Sequence, residues 1–303
     1  MSLFEFLLDL TNPELAFLQR ALLMAILSAL LCGIVGVHIV VRGLSFVGDA
    51  LAHSVFPGIA IAFATGASTL LGGAVAGVVV ALLIALLSRR RTVGEDSVIG
   101  ILFAAAFSVG LVIVSQMSTY TGSLESLLFG SLTGVTETDL VTVAASGVVV
   151  LGMLAISHRG IVAVSFDREY ARTLGYRDGL MDVVLYVATA LAVVVSVSTV
   201  GNVLVLALLV GPPATARLLT TRVAPMMSLS AALGVFAAFV GLWISWAQSV
   251  PTGAALVLAI TGQFILVWIW KSGAESMMRR SARAIKELLP KSARSSDLPT
   301  INA

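Results

Sequence analysis

From about residue 15 to residue 270 the chain is a succession of apolar stretches separated by short polar connectors. Several of these stretches approach the ~20 residues needed to cross the hydrocarbon core of a bilayer. Inside a bilayer no water satisfies backbone amides and carbonyls, so each stretch must close its hydrogen bonds internally, as a helix. Composition agrees: 58% of the 303 residues are hydrophobic and only 11% are charged, against roughly 25% charged in soluble domains. A soluble globule is excluded. The chain reads as an all-α polytopic membrane protein.

Nine spans are expected, near residues 15–41, 44–64, 68–87, 98–117, 140–156, 181–197, 201–219, 224–247 and 253–270. Residues 1–14 form a short amphipathic segment, with Asn12-Pro13 as the helix start into the transmembrane domain at 15–270. Met1–Glu14 is acidic and lacks the basic region of a cleavable signal. Gly33 and Gly36, and Gly73 with Gly77, allow close helix approach. A charged connector is expected at 157–180, and residues 271–303 form a basic tail. The apolar run 181–219 is about twice the length of one span, and Ser196–Asn202 is the natural place for a tight hairpin. Pro57 and the triplet Gly211-Pro212-Pro213 are expected to break their helices, since proline removes an amide donor and clashes with the preceding turn. Trp243, Trp246, Trp268 and Trp270 fall towards span ends, where interfacial anchors sit.

Charge then sets the orientation. Arg42, Arg89, Arg90, Arg91, Arg159, Arg168, Arg172, Arg177, Arg217, Arg222 and the basic tail all fall on one side of this layout. Glu125, Glu137 and Asp139 occupy loops of the other side. Positively charged loops stay in the cytoplasm. The expected N-terminus is therefore outside and the C-terminus cytoplasmic. A net charge of +2 suggests nothing about nucleic acid, and no nucleic-acid partner is expected; the lone Cys32 argues for no disulfide framework or cysteine metal site.

Within the second span, Gly48-Asp49-Ala50-Leu51-Ala52-His53 places a carboxylate and an imidazole one helical turn apart. Ionisable groups at membrane depth are costly and mark ion or proton pathways. The other carboxylates fall in loops, tails or span ends, and His53 alone among the histidines shares the face of Asp49. His38, near Arg42, reads as an interfacial residue, and Asn202 as a helix-contact hydrogen bonder. One carboxylate oxygen and one neutral imidazole suit a divalent transition metal. Two copies in a symmetric dimer would offer two of each. The competing readings are a polar pair buried in a helix contact and a proton relay in a secondary metal carrier that uses Asp49 and His53 without an ATPase.

The segment Gly48–Ala62 (GDALAHSVFPGIAIA) resembles the signature of the membrane subunits of ABC importers for manganese, zinc and iron. So do Glu95–Ile101 (EDSVIGI), Leu128–Leu132 (LFGSL), Phe166–Gly175 (FDREYARTLG) and Val200–Ala216, from VGNVLV to GPPATA. The match follows the family order over about residues 20–270. It implies a homodimeric permease of compact type II architecture, located in a prokaryotic plasma membrane. Cytoplasmic ABC ATPase subunits and an extracytoplasmic metal-binding protein would be its partners. It implies that Asp49 and His53 contact the transported Mn²⁺ or Zn²⁺, with Fe²⁺ also compatible and no cofactor bound permanently. It further implies a coupling helix at about 165–178, in which Phe166, Asp167, Arg168, Glu169, Tyr170, Ala171, Arg172, Leu174 and Gly175 dock on the ATPase. The chain has no Gly-x-x-x-x-Gly-Lys-[Ser/Thr] loop of its own, so ATP hydrolysis would belong to a partner. The doubled proline at 212–213 departs from the single proline common in relatives, and Pro57 tilts the resemblance towards manganese and iron.

Overall fold

The structure is a computed structural model and describes residues 3–89, 94–116 and 132–288. Arg90, Arg91, Met117, Glu125, the residues Leu128 to Ser131 and the end of the basic tail lie outside the described residues. The chain divides into two units, Met1–Phe264 and Ile265–Ala303. In order, α1 (Leu3–Thr11) and a 3-10 turn (Pro13–Leu15) lead into α2 (Ala16–Arg42), α3 (Phe46–Ser54), α4 (Phe56–Thr65), α5 (Thr69–Ser88) and α6 (Glu95–Ser115). After a 3-10 turn at Leu132–Gly134 come α7 (Glu137–Phe166), α8 (Arg168–Thr173), α9 (Asp178–Val200), α10 (Asn202–Leu219), α11 (Val223–Gln248) and α12 (Thr252–Leu288). Among the described residues nine helical segments are long and apolar enough to cross a bilayer, α3 and α4 together making the second.

Helices α2 and α9 are the best-buried spans. They pack on each other, α2 also against α7, α10 and α11, and α9 against α3, α5 and α7. Small residues make this closeness possible. A Cβ on Gly36 would collide with the carbonyl of Leu209 and the ring of Pro213, and Gly58 and Gly72 stand back to back across the α4–α5 contact. With lipid on the outside, such tight van der Waals packing is the main force between helices. Polar bonds add to it: Ser230 Oγ donates to the Gly33 carbonyl at 2.8 Å.

Helix ends follow local chemistry. Gly43, at φ 76°, closes α2 with its amide turned back to Ile39 and Val40. Thr136 and Asp139 form a reciprocal capping box at the start of α7. The hairpin expected at 196–202 is a single residue, Gly201, at φ 87° and ψ 156°, a conformation only glycine adopts without strain. At the N-terminus, α1 docks rather than floats. Phe6 is buried edge-on to Phe239 at 5.7 Å, and Trp246 Nε1 donates to Asp9 Oδ2 at 2.8 Å.

Three expectations need correction. The fifth span does not stop near 156. Helix α7 continues to Phe166 because Gly160, Ile161 and Val164 continue a buried stripe beyond His158 and Arg159. The charged connector is correspondingly short, and α8 covers only Arg168–Thr173, with Phe166 ending α7 and Leu174 and Gly175 lying beyond α8. Nor do Gly211, Pro212 and Pro213 break their helix: α10 is continuous through all three. The prolines remove two amide donors, but the freed Leu209 carbonyl and the Pro213 ring lodge against Gly36 of α2. Tertiary packing holds the helix together. In the second span, by contrast, the helix is interrupted at Val55, and Pro57 is the second residue of α4.

Candidate functional site

One face of α3 is buried through Val47, Gly48, Ala50, Leu51 and Ser54, which turns Asp49 and His53 to the other. Their side chains are each 25% exposed, with His53 Nε2 3.5 Å from Asp49 Oδ1. The predicted pair is therefore assembled and accessible. Aromatic rings hold the imidazole from one side. Phe103 and Phe107 of α6 lie edge-on to it at 5.4 and 5.5 Å and stack on each other at 6.2 Å. Phe46 and Phe56, at the starts of α3 and α4, pack against the same two rings.

Asn202 approaches the imidazole as well. It is the first residue of α10, set directly after the Gly201 turn. Its Nδ2 lies 3.2 Å from His53 Nδ1 and 3.1 Å from Nε2. Its Oδ1 is buried and has no hydrogen-bond partner among the described residues. The sequence reading placed Asn202 in a helix contact and missed that the contact is His53. The signal available was its position: an amide beside a glycine turn, inside a run apolar enough for the bilayer. Asp49 opens on a groove of about 660 Å³ lined by Phe46, Leu206, Val210, Gly211 and Ile260. Among the described residues no three His, Cys, Asp or Glu side chains converge. From acids and imidazoles alone the chain thus offers a metal two ligands, an open site suited to passage rather than to permanent retention.

A second polar cluster joins four helices and the connector between two of them. Asp182, near the start of α9, accepts from Arg42 Nη1 and Arg168 Nη1, both at 2.6 Å. Arg168 Nη2 reaches Glu95 at 3.4 Å, Tyr186 Oη donates to the same Glu95 oxygen at 2.5 Å, and Arg42 Nε donates to Ser165 Oγ at 2.9 Å. Partial burial works against the Arg168 charge, but Asp182 and Glu95 more than offset it and hold the guanidinium above its usual range. Asp182 reads from the sequence as a span-end acid. Only the fold reveals it as the shared anion of two arginines.

His38, read from the sequence as interfacial, has a partner in the fold. It is buried, with Nε2 3.2 Å from His158 Nδ1 and the two rings nearly perpendicular. On α8, Asp167 caps the helix by accepting from the amides of Glu169 and Tyr170. Arg172 pairs with Asp178 at 2.6 Å. Phe166, Tyr170 and Leu174, spaced four apart, are 68%, 59% and 54% exposed, an apolar row where charge surrounds it.

Residues 14–271 match the profile of the family described as the ABC 3 transport family. The chain is 38% identical over 271 residues, 89% of its length and 93% of the relative's, to the "Manganese transport system membrane protein MntC" of Halalkalibacterium halodurans. It is 30% identical over 272 residues, 90% of its length and 96% of the relative's, to a "Probable iron transport system membrane protein" of Haemophilus influenzae. Among solved structures it resembles PsaBC from Streptococcus pneumoniae in complex with Fab, with a TM-score of 0.77 and 30% identity over 88% of this chain and 95% of that one.

Proposed function

The chain belongs to the ABC 3 transport family, and from that premise we propose how it works as the multi-pass membrane permease of an ABC importer for manganese or iron. Family membership also removes the need for the carrier reading, because the energy source in such transporters is a separate ATPase subunit. A binding protein completes the complex. Asp49 and His53 pass the ion through the membrane, and Mn²⁺ is the favoured cargo. The observation that supports this most is the pair itself, one turn apart on α3 and mutually within reach, with Asp49 open to a groove.

Two copies of the chain stand side by side, the N-termini outside and the basic tails in the cytoplasm. This orientation rests on the one-sided arginines of the connectors. Helix α8 is the coupling helix, and its exposed Phe166, Tyr170 and Leu174 press into the ATPase. Its movement reaches the site through Arg168, Asp182 and Arg42, since Arg42 ends α2 just before the short link into α3. ATP binding and hydrolysis then alternate the access of Asp49 and His53 between the two sides.

Uptake of radioactive Mn²⁺ by cells expressing the whole transporter tests the site. Asp49→Asn keeps the shape and removes the charge, and is expected to lower uptake by at least about tenfold at equal membrane expression. Uptake at the wild-type rate in that variant would remove Asp49 from the pathway.

A further inference from the structure

We propose that Asn202 is a third ligand of the transported ion, supplied by α10, and that its amide oxygen biases the site towards Mn²⁺ over Zn²⁺. The inference rests on the reading of Asp49 and His53 as the ion pathway and extends it to a residue on a different helix. Two observations bear on it. The first is the buried Oδ1 of Asn202, which has no partner among the described residues. A buried amide oxygen left unbonded costs stability, and native structures rarely keep one without a use for it.

The second is convergence. Asn202 Nδ2 lies 3.1 Å from His53 Nε2, and that nitrogen lies 3.5 Å from Asp49 Oδ1. A half-turn about the last side-chain bond exchanges the amide nitrogen and oxygen with little change of shape. It would bring Oδ1 to the imidazole edge that faces Asp49. Ligand atoms about 2.1 Å from one ion and at right angles to each other lie about 3 Å apart, close to the spacings found here. Without the ion, the amide donates towards the imidazole. With it, the oxygen turns in to the ion and the amide nitrogen takes the place that Oδ1 leaves.

The chemistry favours one class of cargo. Carboxylate and carbonyl oxygens suit Mn²⁺, whereas imidazole suits zinc. Adding a neutral oxygen to Asp49 and His53 raises the oxygen share of the set without adding charge, so the ion can still leave. The aromatic wall of Phe103 and Phe107 holds His53 from its other side. Asn202 is thus placed to adjust while the imidazole stays fixed.

The test is uptake of radioactive Mn²⁺ and Zn²⁺ by the complete transporter carrying Asn202→Ala, Asn202→Asp or Asp49→Asn, with membrane expression matched. Asn202→Ala is expected to raise the KM for Mn²⁺ by at least about tenfold and to lower the Mn²⁺:Zn²⁺ uptake ratio. Asn202→Asp restores an oxygen donor but cannot donate to the imidazole, so its KM for Mn²⁺ should return towards wild type. Were Asn202 only a positioning partner of His53, Asn202→Ala would lower Mn²⁺ and Zn²⁺ uptake alike and leave their ratio unchanged, and the proposal falls. It falls equally if Asn202→Ala matches wild type in KM and ratio while Asp49→Asn is inactive, an outcome that leaves the Asp49 reading intact. Wild-type uptake by Asp49→Asn overturns both.

Discussion

At the scale of single residues, small differences in side-chain size decide whether spans can meet. Gly36 has no substitute without displacement, because the Leu209 carbonyl and the Pro213 ring occupy the space of its Cβ. Gly36→Val should cost about 1–3 kcal/mol, the usual penalty of overpacking, and lower the thermal unfolding midpoint of the detergent-solubilised chain. Gly43→Ala involves no contact of this kind, since nothing lies near its Cβ; its cost comes only from the positive φ and should be smaller. A larger loss for Gly43→Ala would show that backbone conformation, not helix approach, limits stability. Asp49 and His53 were legible from the sequence because each is an outlier in an apolar run and a turn apart. Asn202 was not, because 149 residues separate it from His53 and an asparagine alone does not announce its partner.

Among the elements, the polar cluster at Asp182 ties the connector helix to the ends of two spans, α2 and α7, and the starts of two others, α6 and α9. Asp182 and Arg42 have side chains only 5% and 4% exposed. Asp182→Asn would leave two guanidinium groups facing a neutral amide. Breaking a buried pair in this way costs about 3–5 kcal/mol, so poor membrane accumulation and a depressed unfolding midpoint are expected. Arg168→Gln spares the Arg42–Asp182 pair and should leave the fold intact. If the cluster transmits movement from α8 to α3, this variant hydrolyses more ATP per Mn²⁺ imported than wild type. An unchanged ratio would make the cluster purely structural. A third element-scale test concerns docking: Leu174→Asp alters an exposed side chain and should abolish co-purification of the ATPase while the permease still folds. Helix lengths were harder to read than helix identities. A polar pair such as His158-Arg159 looks like a loop until the buried Ile161 and Val164 show the helix continuing.

At the scale of the whole molecule, alternation of hydropathy and the distribution of arginine carry the topology. Removing the lone cysteine by Cys32→Ser and adding cysteines one at a time provides a direct check of the orientation. Ala67→Cys, in the α4–α5 link, should react with a membrane-impermeant thiol reagent in intact cells. Thr220→Cys, in the α10–α11 link, should react only after permeabilisation. The reverse pattern would invert the orientation and remove α8 from the cytoplasm.

Much of this protein was determined locally. Apolar length dictated the spans, because unsatisfied backbone groups cannot remain in lipid, and the isolation of Asp49 and His53 in an apolar run marked the candidate site. Glycine at 201 made the shortest of hairpins possible. Other features depended on which helices become neighbours, and no local pattern records that. The continuity of α10 through two prolines needed the room that Gly36 leaves in α2. The sharing of Asp182 by Arg42 and Arg168 needed the end of α2 to meet a connector 140 residues away. The approach of Asn202 to His53 needed α10 to return beside α3. In each case the deciding interaction joins residues far apart in sequence, and only packing brings them together.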